Sequence, residues 1–242
     1  MSSPAAWFER RLNSIEAVRE APRVRGGTVV RAISLFLGLA IVAAGIVALL
    51  ESRLGLAPWD VLHQGIARRT PLSIGMANVA VALAMLFVAW ALGQPPGLGT
   101  IANALVIGTL VDVFRGIEWV AHLSADPVGV RAGLLVVGIA LFGVGSALYI
   151  GAAFGAGPRD STMLALSTRT RRRIAVVRAS IETTALAIGW ALGGTVGIGT
   201  LAMAVFVGPA VEGSFWLAIR CGIASRTEVA LDAPPAALGP AD

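Results

Sequence analysis

The chain has 242 residues, of which 56% are hydrophobic and only 14% charged, with a mean hydropathy of +0.80. A soluble domain carries about a quarter charged residues, so this composition excludes one and points to an integral membrane protein. The net charge of +5 comes entirely from arginine, without a stripe interleaved with aromatics, so the bilayer and not nucleic acid is the expected partner.

Residues 1–27 read as a cytoplasmic tail. Within it Phe8, Leu12 and Ile15 share one helical face flanked by Arg11 and Arg19. That pattern fits a helix lying on the membrane surface, and a frayed tail fits it equally. A cleaved leader is not expected, because the polar and apolar stretches are too long and no small-residue cleavage site follows. Six apolar runs long enough to cross a bilayer then follow, near 28–50, 74–93, 99–117, 132–150, 174–193 and 199–219. They make residues 28–220 one all-α membrane domain, a polytopic transmembrane helical bundle. The remainder, 221–242, is rich in proline and alanine and is expected to be a disordered cytoplasmic tail. Cys221, the single cysteine, rules out an intrachain disulfide and reads as a small apolar filler.

The chain repeats itself. Laying 31–115 over 131–215 without a gap gives 24 identities in 85 positions. Arg31, Gly38, Gly45, Pro58, Asp60, Gly97 and Thr100 each recur exactly one hundred residues later, and Asp112 is answered by Glu212. Apolar matches arise by chance between membrane spans, but glycine, proline and aspartate in order do not. The two copies run 28–119 and 131–220, with three spans each. An odd number of spans makes the second copy enter the membrane from the opposite side, giving inverted repeats. With both termini cytoplasmic, 14 arginines fall inside and five outside, the positive-inside bias of a bacterial inner-membrane protein.

Between the first and second spans of each copy stand GLAPWD (55–60) and GAGPRD (155–160). Proline is favoured in a helix's first turn, and a carboxylate there meets free N–H groups and the positive dipole end. Each motif therefore starts a short helix, 58–67 and 158–167, too short to span. Two readings are open. The helices are interfacial connectors whose aspartates act as caps, or they are re-entrant half-helices that bring Pro58, Asp60, Pro158 and Asp160 to a solute path.

Further polar residues lie along the spans. Glu182 sits inside the fifth, one turn from Arg178; an ion pair and a proton or cation relay both fit. Asp112 and Glu212 stand near helix C-termini, where a carboxylate opposes the dipole, so pairing with arginine or interfacial termination is expected rather than capping. Asn78 and Asn103 read as hydrogen bonds between helices. His63, a turn after Trp59, is a proton-binding candidate but more often such a histidine is a solvated loop residue. Gly93, Gly97, Gly189, Gly193 and Gly197, spaced by four, suggest close helix approach. The exposed-looking run Arg169, Arg171, Arg172 and Arg173 would suit an anionic lipid or a protein partner. Small-residue faces make a homodimer plausible. No catalytic, cofactor or metal motif is present, so an enzyme is not expected.

The runs GLAPWDVLHQGIARRTPLSIG and PPGLGTIANALVIGTLVD resemble the YczE/YyaS/YitT family of bacterial integral membrane proteins, and most nearly its YczE branch, over nearly all of 30–225. The resemblance implies a multi-spanning inner-membrane protein of unestablished activity and carries over no site residues. Arg159 for Trp59 and Met163 for His63 confine those two residues to one half. The expectation is a small-solute or ion permease, against a non-transporting protein that modulates a partner.

Overall fold

The computed structural model describes residues 21–125, 127–155 and 157–225. Helices dominate: α1 (Thr28–Ser52), α2 (Pro58–Arg69), α3 (Ile74–Ala91), α4 (Leu98–Arg115), α5 (Glu118–His122), α6 (Val128–Gly151), α7 (Pro158–Thr170), α8 (Ile174–Ala191) and α9 (Ile198–Arg220). Six of them, α1, α3, α4, α6, α8 and α9, are long and apolar enough to cross a membrane. The 12 residues of α2 rise only about 18 Å, well short of the roughly 30 Å hydrocarbon layer.

The centre of the bundle is the crossing of α1 and α6, the corresponding first helices of the two copies. A Cβ added to Gly38 would lie 2.7 Å from Gly145 O, and one added to Gly45 would lie 3.0 Å from Gly138 O. Glycine is required because backbone meets backbone there. Since Gly38 meets Gly145 while Gly45 meets Gly138, the two helices run antiparallel. Leu35, Leu39, Val42, Ile46 and Leu49 of α1 and Ile139 of α6 fill the seam.

Contacts recur in pairs that exchange when 100 is added to one partner and taken from the other. Arg31 Nε donates to Ala152 O at 2.8 Å, and Arg131 Nε donates to Ser52 O at 2.8 Å. Gly99 N–H donates to Phe154 O, and Gly199 N–H to Leu54 O. Left-handed residues match too: Gly55 and Gly155 have φ of 121° and 125°. At helix level, α2 packs on α8 as α7 packs on α3, and α1 on α4 as α6 on α9.

One exchange fails. α3 and α4 pack closely, with Gly75 against Gly108 O, whereas α8 and α9 hardly touch. Nothing lies within 4 Å of a Cβ added at Gly208, the counterpart of Gly108. α9 leans on α6 through Ala210 and Gly143 and leaves Leu201, Val205, Phe206 and Trp216 exposed.

Several expectations need correction. Gly93 and Gly193, at φ of 93° and 98°, end α3 and α8 rather than packing helices, and Gly97 and Gly197 stand at the N-caps of α4 and α9. Of that series only Gly189 serves close approach between helices, against Leu62 of α2. Cys221 is exposed at the end of α9 and fills nothing. A two-residue ladder, Arg23–Val24 with Ala224–Ser225, ties the two terminal segments together at one end of the bundle and was not foreseen. The possible surface helix within residues 5–20 lies outside the described residues, as does most of the C-terminal tail.

Candidate functional site

α2 and α7 begin as the sequence dictates. Pro58 and Pro158 occupy the first helical turns, after Ala57 and Gly157 as N-caps. Asp60 and Asp160 fall in those turns, yet neither N-cap shows a side-chain capping bond, and Asp60 does not bond the free N–H groups. The capping reading is therefore wrong for Asp60.

Asp60 is instead buried with His63, one turn on. His63 Nδ1 lies 3.5 Å from Asp60 Oδ1 and 3.2 Å from the Asn78 amide nitrogen on α3. An amide N–H donating to Nδ1 leaves the ring proton on Nε2. Asp60 Oδ1 and Oδ2, His63 Nε2 and Trp59 Nε1 are all buried and make no hydrogen bond among the described residues. Buried polar atoms in such a state are rare, and they cluster where a site has work to do. Burial holds the His63 imidazole below its ordinary value of 6.5; the Asp60 contact opposes that shift and the Arg159 charge adds to it. His63 is thus an interior helix residue rather than a solvated loop histidine.

Trp59 closes one wall, packed with Met163 of α7, Ala185 of α8 and Met85 of α3. The Arg159 guanidinium lies over its ring, 5.0 Å from the centroid. Positions 59 and 159 are counterparts in the two copies, so this contact sits on the approximate two-fold axis. A charge and an aromatic face complement each other there, where two arginines would repel.

Around Asp160 the electrostatic neighbours are Arg178, Arg159 and Glu182. The protein packed around it lifts the Asp160 carboxyl above the usual range; Arg178 and Arg159 oppose this and Glu182 adds to it. Asp160 is exposed along much of its surface, whereas Asp60 is buried. Arg178 Nε donates to Glu182 Oε1 at 2.9 Å, the i, i+4 ion pair expected on α8. Tyr149 of α6 shares the field of Asp160 and Arg159. Asn103 of α4 faces the same place: a Cβ added to Gly157 would be 3.4 Å from Asp160 Oδ2 and 3.8 Å from the Asn103 amide nitrogen.

The structure thus forms two groups, Trp59, Asp60 and His63 in one half and Asn103, Asp160, Arg178 and Glu182 in the other, joined by the Trp59–Arg159 contact, with Pro58 and Pro158 starting the helices that present them. Asp112 and Glu212 lie elsewhere. Asp112 accepts from Gly75 N–H at 2.9 Å and from Ser73 Oγ, so it caps the N-terminus of α3, the neighbouring helix. Sequence reasoning considered only the helix Asp112 belongs to and so missed this. Glu212 is exposed. Among the described residues no three metal-ligating side chains converge. Tyr149 and Arg159 were not foreseen as site residues; the Arg159 signal was its register with Trp59.

A family of unknown function (DUF6198) matches residues 29–214. The chain belongs to this family. Proteins similar to it include an uncharacterized protein of Haemophilus influenzae, 37% identical over 74% of this chain and 80% of its own length. The uncharacterized membrane protein YczE of Bacillus subtilis is 30% identical over 83% of this chain and 94% of its own length. The uncharacterized protein YyaS of the same organism is 26% identical over 68% and 82%. No solved structure matches. The family resemblance read from the PWD and GLGT motifs therefore holds, and with six apolar helices it makes this family member a multi-pass integral membrane protein.

Proposed function

We propose that this family member is a small-solute or ion permease of the bacterial plasma membrane. In this reading the two halves are inverted repeats about an axis in the membrane plane, with both termini cytoplasmic. The half-helices α2 and α7 then meet near mid-depth, as broken helices do around transported solutes. The observation that carries the reading is the buried, unpartnered set of Asp60 oxygens, His63 Nε2 and Trp59 Nε1 beside the Trp59–Arg159 contact. Buried donors and acceptors without a protein partner at one point can exchange a proton or receive a small polar solute. Asp160, with Arg178 and Glu182, forms the accessible half of the same path.

The test is flux in proteoliposomes loaded with a pH-sensitive dye, across a panel of small ions and polar solutes. Asp60→Asn is expected to abolish any solute-driven proton movement, and Asp160→Asn to reduce it at least about tenfold, the scale of one lost charge-assisted interaction. Equal activity of wild type and both variants would reject the permease. A second reading rests on the exposed Arg169, Arg171, Arg172 and Arg173 at the end of α7. Such a basic run suits anionic lipid headgroups or an acidic protein partner, and a protein that modulates such a partner without transport would keep its effect in Asp60→Asn.

A further inference from the structure

A cavity of about 650 Å³ opens at the end of the bundle where α1, α2 and α4 finish and α3 begins. Its charged lining consists of Arg53, Arg68, Arg115 and Glu51. Glu51 is buried and lies 3.4 Å from Arg115 Nε, so one arginine is balanced and two are in excess. Arg68 is fixed to the wall by bonds to Gly193 O and Thr195 Oγ1. Arg131 adds a further positive charge close by, bonded to Ser52 O. Asp112, which adjoins the lining through Ser73, is occupied by Ser73 and Gly75.

Arginine at a helix C-terminus has an ordinary explanation, since it complements the dipole. The duplication provides the control. The counterparts of Glu51, Arg53, Arg68 and Arg115 are Gly151, Ala153, Thr168 and Phe215. α6 ends in the same left-handed turn as α1, with φ of 54° at Ala153 and 52° at Arg53, and needs no arginine there. All four charges therefore belong to one half and are not demanded by the shared backbone. The volume is in the range that holds a small molecule, and guanidinium groups match the planar or tetrahedral oxygens of carboxylate and phosphate.

We infer that this cavity is a binding site for an oxyanion, a carboxylate or phosphate group, recognised by Arg53 and by the terminal N–H groups of Arg115, which Glu51 engages at Nε, with Arg68 as a fixed wall. The inference concerns binding and stands apart from whether the protein transports. The shared chemistry admits two sources, a soluble anion or an anionic lipid headgroup.

The full chain in nanodiscs of neutral phosphatidylcholine is titrated with inorganic phosphate and with succinate, against chloride at matched ionic strength, and its melting temperature followed. A parallel arm replaces part of the lipid with phosphatidylglycerol. A saturable upward shift with phosphate or succinate is expected. It should be weakened at least about tenfold in Arg53→Gln, the magnitude of losing one charge-assisted contact, and further in Arg53→Gln/Arg115→Gln. Arg220→Gln, which removes only the arginine stacked on Trp216 at the far end of α9, should leave it unchanged. Among the described residues Glu51 is ion-paired with Arg115 and not with Arg53, so the Arg53 variant keeps the test valid if Arg115→Gln unfolds the protein. A shift confined to phosphatidylglycerol and lost in Arg53→Gln assigns the site to a lipid headgroup. No shift in any arm, or shifts indifferent to Arg53, would overturn the inference.

Discussion

The two halves of this protein share a backbone but not a state of closure. In the first, α3 seats on α4 through Gly75 and Gly108, and Asp112 clasps the start of α3. In the second, Gly208 is kept but faces nothing, Ala175 stands for Gly75, and Arg173 and Glu212 stand for Ser73 and Asp112. The difference separates what duplication requires from what each half has acquired. Required are the α1–α6 crossing, the helix starts at Pro58 and Pro158, and the arginine ties. Acquired are the partners of the shared aspartates, His63 and Asn78 beside Asp60 on one side and Arg178 and Glu182 near Asp160 on the other.

The largest contrast is expected between Gly108→Ala and Gly208→Ala. A Cβ at 108 would lie 2.5 Å from Gly75 O and 2.7 Å from Val79 Cγ2. Overpacking of this kind costs about 1–3 kcal/mol. At 208 the same change meets open space and should be neutral, or gain up to about 1 kcal/mol in helix propensity. Thermal unfolding in detergent would read both, and equal losses would show that α8 and α9 are packed after all. Arg31→Ala and Arg131→Ala should both destabilise, each removing a charged donor from the end of the other half's first helix, for a loss of roughly 1.5–3 kcal/mol. Arg31→Ala should cost more, because Arg31 also donates to Ala153 O and lies over the Phe154 ring, where the other half has Leu54. No loss in one of the two would break the two-fold relation.

A smaller difference is expected at the matched acids. Asp112→Ala removes a cap, costing about 1 kcal/mol, while Glu212→Ala should leave the melting temperature within error. The smallest signal concerns a minor population. If the halves exchange conformations during transport, α8 would close on α9 as α3 closes on α4, and Glu212 would approach Arg173. Arg173→Cys with Glu212→Cys, in a Cys221→Ala background, should cross-link slowly under turnover and not at rest. No cross-link under either condition would argue that the second half stays open.

Most of the architecture was legible because its signals are covalent or compositional. Apolar run length located the six spans to within a few residues, and Pro58 and Pro158 marked the short helices. The duplication was legible because glycine and proline are tied to backbone geometry, so they persist where apolar residues drift. What was hidden depended on neighbours distant in sequence. Asp112 stands near the end of α4, yet its bonds run to Ser73 and Gly75, 39 and 37 residues away. His63 resembles a loop residue until α2 is seen folded into the interior against Asn78. Arg159 joins the site only because the axis passes between it and Trp59. The two-residue ladder near the termini leaves no periodic pattern at all.

The reciprocal arginine ties have a consequence for synthesis. The carbonyl at the end of α1 is held by Arg131, and the nearest cover over Gly38 and Gly45 among the described residues comes from α6. When the first half leaves the ribosome, its central helix is therefore unfinished: two notches of bare backbone face lipid and one end lacks its donor. That condition lasts until roughly a further hundred residues have been made. The half-built protein is thus a distinct object in the membrane, with exposed seams that a second copy of the same half, or an insertion chaperone, could cover before its own partner arrives.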